Sequence, residues 1–257
     1  MSIRVGLCTI SSKERAVGDV IELAGEAGYD GVEIWGRDHV GDGTADDCQR
    51  IREEVDANGL EIPVYGSYLR CGTDEFDSEL KHELAITDRL NADLIRVWAG
   101  RQEYGDHDPD YWERVVADLE RLTDRVAEYD VGVTVEKHAG TLTNTREGAR
   151  RLIEAIDDNR CGLNYQPGFS VPKDEIKCEA DELADLSNNL HVQSVRECGA
   201  SHRCPLSAAF YDLEAVFEPF LKAGFDGYAN VEFVTDERPY PEAIEADRQY
   251  VESVASE

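Results

Sequence analysis

The sequence predicts a (β/α)8 barrel that takes up the whole chain, residues 1–257, as one domain. Three observations carry this expectation. Eight short apolar runs alternate with longer amphipathic ones from end to end, 257 residues is an ordinary size for such a barrel, and no linker, tandem repeat or low-complexity stretch marks a boundary. A doubly wound open sheet would also alternate in this way, but no GxGxxG follows the first strand.

The expected strands are IRVGLC (3–8), DGVEIW (30–35), EIPVYG (61–66), DLIRVW (93–98), VGVTVE (131–136), RCGLNY (160–165), NLHVQSV (189–195) and DGYANVEF (226–233). Between them RAVGDVIELAGEAG (15–28), YWERVVADLERLTDRVAEY (111–129) and YDLEAVFEPFLKAG (211–224) place apolar residues three or four apart, the period of a helix with one buried face. Asp108 followed by Pro109 reads as an N-cap and a first-turn proline. Gly28 and Gly224 stand where helices would stop in the left-handed conformation. Right-handed crossovers between parallel strands then close the eight units into a ring.

Composition narrows the function. The chain carries 55 Asp+Glu against 26 Lys+Arg, a net charge of −29, and no basic stripe that could follow a phosphate backbone, so nucleic acid is excluded as a partner. Periodic apolar residues between the acids separate this chain from a disordered acidic tail. The carboxylate-rich, lysine-poor surface resembles that of proteins from salt-loving organisms, where ionic strength screens self-repulsion. No window approaches the roughly 18 uninterrupted apolar residues of a membrane span, and no leader-like start is visible, so a cytoplasmic protein without a membrane partner is expected. The seven cysteines form no CxxC pair and read as reduced packing residues. Any assembly is expected to be a homo-oligomer.

In barrels of this kind the active site lies at the C-terminal ends of the strands, so polar residues there are the candidates. They are Glu33 and Trp35, Tyr68, Arg96 and Trp98, Glu136 and His138, Gln166, His191 and Arg196, and Glu232. Glu136, Gln166, His191 and Glu232 belong to four consecutive strands and can converge on one ion. Two carboxylates, an imidazole and an amide oxygen suit a divalent ion such as Mn²⁺, Mg²⁺, Co²⁺ or Zn²⁺ with positions left for substrate. Trp35, Tyr68 and Trp98 read equally as barrel packing or as pocket walls.

With VTVEKH on the fifth strand, GLNYQPG after the sixth, LHVQSV on the seventh and ANVEF on the eighth, the chain resembles the xylose isomerase-like TIM-barrel superfamily. Its members include sugar isomerases, ketose 3-epimerases, inosose dehydratases and apurinic endonucleases. The resemblance implies a metal held by Glu136, His191 and Glu232, with Gln166 at a position that is Asp in relatives. It also implies that Glu136 and Glu232 exchange protons with a small sugar, ketose or polyol through an enediolate. His138 and Arg196 would contact substrate oxygens, and the three aromatics would orient the ring. A metal-dependent isomerase or epimerase is the first expectation. A keto-polyol dehydratase and a non-catalytic sugar-binding barrel are the alternatives, and the acidic surface opposes a nuclease.

Overall fold

The computed structural model describes residues 3–255. Eight parallel strands close into a barrel in sequence order: β1 (Arg4–Cys8), β2 (Gly31–Trp35), β3 (Val64–Arg70), β4 (Leu94–Trp98), β5 (Gly132–Glu136), β6 (Cys161–Tyr165), β7 (Ser187–Val192) and β8 (Tyr228–Val231). A helix follows each: α1 (Val17–Ala27), α2 (Ala45–Ala57), α3 (Phe76–Leu90), α4 (Pro109–Val126), α5 (Arg146–Ile156), α6 (Lys173–Leu183), α7 (Leu213–Ala223) and α8 (Tyr240–Val254). No described helix is long and apolar enough to cross a membrane.

The helix ends follow from local chemistry. Asp108 accepts a hydrogen bond from the backbone N–H of Tyr111 at 2.8 Å, and Pro109 takes the first helical position of α4. Gly28 and Gly224 close α1 and α7 at φ of 81° and 79°, where a side chain would be strained. Thr44 and Asp47 form a reciprocal capping box at the start of α2.

Two strands slip from their expected positions. β3 begins at Val64, not Glu61, because Pro63 has no N–H to give the ladder. It runs on to Arg70, with a register irregularity against β4. β7 spans Ser187–Val192 and ends before Gln193, while Val195 pairs antiparallel with Arg203 in the loop beyond.

Alternation within the strands sorts the side chains. Ile34, Ile95, Val97, Val133, Val135, Leu163, Leu190 and Val231 join one continuous apolar core with the helices. The intervening residues of β6, β7 and β8 place Asn164, Asn189 and Asn230 together. Asn230 donates to Asn189 at 2.9 Å and Asn189 to Asn164 at 3.0 Å. This amide layer is sealed from water, and the charged residues lie one pleat nearer the C-terminal ends of the strands. All the cysteines are free, and only Cys178 and Cys198 are exposed.

Candidate active site

Glu33, Arg96, Glu136, His191 and Glu232 form one buried charged cluster at the strand ends. Arg96 is its hub. Its Nε lies 3.1 Å from Oε1 of Glu33 and its Nη1 contacts Oε2 of Glu136. Across the cluster, Nε2 of His191 meets Oε2 of Glu33 at 2.7 Å, and Nδ1 lies 3.7 Å from Oε2 of Glu232. Glu136, His191 and Glu232 each present a ligand atom within 4.8 Å of the others.

The environment splits the two expected proton carriers. Burial alone would raise Glu136, but Arg96 and His191 outweigh it and hold the carboxyl below its usual range. Glu232 is raised, by burial first and then by the neighbouring charges of Glu136 and Glu33, which His191 and Arg96 only partly offset. His191 would lose its proton more easily through burial, yet the surrounding carboxylates push it up to about 9. Three buried carboxyls therefore face Arg96 and His191, an excess of acidic groups that a further cation would offset.

The donor set fits a divalent ion. Nδ1 of His191 is buried without a hydrogen-bond partner, while Nε2 is engaged by Glu33, the arrangement in which a carboxylate fixes a histidine's tautomer and leaves its other nitrogen free to coordinate. Glu33 is held below its usual range by His191 and Arg96 against the effect of burial.

Gln166 reaches the same place, but with its amide nitrogen turned inward. Nε2 donates to Oε1 of Glu136 at 3.1 Å and to the carbonyl of Lys137 at 2.9 Å. Its oxygen accepts from Nε2 of Gln193 at 2.9 Å, and that same nitrogen donates to Oε2 of Glu232 at 2.6 Å. The two glutamines thus tie Glu136 to Glu232. Both acceptors beside Gln166 need a donor, so the orientation opposite to a metal ligand is the one that satisfies the neighbours.

The other expected residues divide. Trp35 donates its indole N–H to the Tyr68 hydroxyl at 2.7 Å, and Trp98 stacks on His138 with ring centres 4.8 Å apart. Of these four, Tyr68 and Trp98 line a cavity beside the strand ends, with Trp35 and His138 packed against them. Arg196 does not join them: it is exposed and forks onto Glu237 at 2.8 and 2.6 Å. Lys137, adjacent to Glu136, turns to α6 and pairs with Glu179 at 3.1 Å. Sequence reading placed Glu33 and Arg96 among the strand-end polar residues without giving them a role. Gln193 was given no place among the candidates, and its pairing with Gln166 has no local sequence signal. Cys8, read as packing, lies 3.6 Å from Nε2 of His191.

With this geometry in place, comparison with known proteins is informative. A 3-dehydroshikimate dehydratase from Bacillus anthracis is 24% identical over 171 residues, 63% of this chain and 61% of the relative. An inosose dehydratase from Lacticaseibacillus casei is 26% identical over 159 residues, 54% of this chain and 53% of the relative. The matches thus span between about half and three-fifths of these curated relatives. Among solved structures, the IOLI protein with a binding zinc atom superposes with a TM-score of 0.79 at 18% identity over 99% of this chain and 98% of its own. A 3-keto-D-glucoside 4-epimerase from E. coli gives 0.76 at 18% identity over 98% of this chain and 99% of its own. The family model described as xylose isomerase-like TIM barrel matches residues 21–254. The chain belongs to the xylose isomerase-like TIM-barrel family.

Proposed function

We propose that this protein removes a proton beside the carbonyl of a small polyhydroxylated substrate, a sugar or polyol derivative, using Glu136 and Glu232. The observation that carries the reading is the convergence of two buried carboxyls, Glu136 and Glu232, within 4.8 Å of each other and of His191 at the strand ends. Their surroundings push Glu136 down and Glu232 up, a split that suits one group to accept a proton and the other to give one. Glu136, His191 and Glu232 would hold a divalent ion, of which Mn²⁺, Mg²⁺, Co²⁺ and Zn²⁺ all suit the mixed oxygen and nitrogen donors. When bound, that ion supplies Lewis-acid polarisation of the substrate carbonyl. Arg96 and Gln166 fix the Glu136 carboxylate from two sides, and Gln193 fixes Glu232. Trp35, Tyr68, Trp98 and His138 form walls against which a ring can lie. Arg196, bound to Glu237, has no part in this reading.

Return of the proton to the other face or to the neighbouring carbon gives an epimerase or isomerase. Loss of a hydroxyl from the adjoining carbon gives a dehydratase, the branch that the two sequence relatives favour. Proton NMR in D2O separates the branches. Mn²⁺-loaded protein is incubated with 3-dehydroshikimate, an inosose and a ketohexose. Deuterium incorporation is expected for at least one of them, with new aromatic proton signals from 3-dehydroshikimate, or a deuterated methylene beside a dione from the inosose, if water is lost. Glu136→Gln and Glu232→Gln should each slow exchange by ~100-fold or more. Undiminished exchange in both variants, or none in wild-type protein, would overturn the proposal, the latter in favour of a sugar-binding barrel without turnover.

A further inference from the structure

Beside the carboxylates, β3, β4 and the loop after β2 enclose a cavity of about 540 Å³ whose walls include Arg37, Arg70, Arg101, Tyr68 and Trp98. Three arginines in one cavity are unexpected in a chain of net charge −29. None has a carboxylate within ion-pair distance among the described residues. Two stand over aromatic rings instead. Arg70 stands 3.8 Å over Trp98, and Arg37 stands 3.8 Å over Tyr68.

We infer that the substrate carries an anionic group, a carboxylate or a phosphate, which seats against Arg37, Arg70 and Arg101 while its carbonyl end faces Glu136. This rests on the proton-transfer reading above for the position of the reacting end. Arg70 is half-buried, lines the cavity, and gives Nη1 to the carbonyl of Gly100 at 2.7 Å, which leaves its other guanidinium donors without a hydrogen-bonded protein partner among the described residues. Burial and the like charges of Arg101 and Arg37 work against its ionised form, and Glu136 and Tyr111 offset them only in part. Crowding of this kind is relieved by an anion that takes several forked donors at once, and guanidinium geometry matches both carboxylate and phosphate.

Arg37 strengthens the point through its backbone. It is a non-glycine residue at φ 63°, a costly conformation, in the turn that lays its guanidinium on Tyr68. Glu79 and Glu83 of α3 also line the cavity. Glu83 forms no ion pair with the arginines: its carboxyl accepts the Tyr65 hydroxyl at 2.8 Å, and burial raises it against the opposing effects of that hydrogen bond, His82 and Arg37. Trp98, in the cavity wall, pairs in register with Glu136 on the next strand, which sets the arginine cavity beside that carboxylate.

Calorimetry at fixed ionic strength tests this on the Mn²⁺-loaded protein with three six-membered-ring probes: quinate, myo-inositol 1-phosphate and neutral myo-inositol. At least one anion should bind tenfold or more tightly than myo-inositol, and the tighter anion identifies the group as carboxylate or phosphate. Arg70→Gln should collapse that preference to within twofold. Arg101→Gln, at an exposed position, should reduce it at least threefold and serves if the Arg70 variant does not fold. Myo-inositol binding as tightly as both anions, binding by none of the probes, or a preference intact in the folded variants would overturn the inference. Deuterium exchange into a neutral keto-sugar that is abolished in Glu136→Gln would still stand in that event, so the two readings fail separately.

Discussion

At Gln166 a single uncharged side chain stands where relatives are expected to carry a carboxylate, and its contacts say what it does instead. It gives hydrogen bonds to Glu136 and to the Lys137 carbonyl, and receives one from Gln193. Gln166→Asp would face both acceptors with a third one. Without metal the variant should lose about 1–3 kcal/mol, seen as a melting temperature several degrees lower. Mn²⁺ should restore that loss, since a third carboxylate adds attraction for a cation in a site poor in water. Equal melting temperatures with and without Mn²⁺ in wild type and variant would show that position 166 is electrostatically separate from the cluster. Glu136, His191 and Glu232 stood out in the sequence because each is a polar group, expensive to bury, set at or near the end of a short apolar run. The amide orientation of Gln166 was not, as it depends on Gln193 from another strand. Arg196 was misplaced for a related reason: β7 stops at Val192, and the chain beyond it leaves for the surface.

Individual elements were legible to the extent that their ends are set by local chemistry. Asp108–Pro109 and the terminal glycines marked α1, α4 and α7 correctly, whereas β3 slipped by three residues because Pro63 acts on a ladder that sequence periodicity does not display. α8 carries a further consequence of burial. Asp247 accepts the Leu206 backbone N–H at 2.8 Å, but its second oxygen is buried without a partner. Burial raises it to about 6, with the Leu206 bond and Arg238 opposing. The folded state therefore binds this proton more tightly than the unfolded chain. Its contribution to stability is full below an unfolded pKa of about 4 and is lost as pH rises through about 6. Asp247→Asn keeps the acceptor and removes the charge. It should be more stable than wild type by about 2 kcal/mol at pH 8, with the gap closing at pH 4, in denaturant titrations at the two pH values. A gap of the same size at both would show that the charge of Asp247 is not its source.

For the whole molecule, the alternation of eight apolar runs foretold the closed barrel, and every strand lies beside its neighbours in sequence order. Net charge, equally visible in the sequence, sets how that barrel responds to its solution. Exposed pairs such as Lys177–Glu218 and Arg196–Glu237 contribute little, because water and salt screen them, while the excess of carboxylates repels across the entire surface. Raising KCl to 1 M shortens the screening length to about 3 Å and weakens both, and repulsion is the larger because acids outnumber bases 55 to 26. The melting temperature should climb with KCl between dilute buffer and molar salt. A flat or falling curve would mean that the ion pairs outweigh the repulsion and would remove the likeness to proteins of salt-loving organisms.

The amide layer beneath the charged cluster has a consequence for how the ring is completed. Gly6 of β1 lies in register with Asn230 of β8, and a Cβ on Gly6 would come within 1.9 Å of the Asn230 side-chain oxygen. The first and last strands therefore meet at a gap left by a missing methyl group, and the amide that fills it is also the donor on which Asn189 depends. Until β8 arrives, Asn189 lacks that donor and the far wall has no cap. The joining of the chain's two ends is thus the event that completes the polar interior, which makes the barrel cooperative across its seam instead of an arc of strands that could stop one short.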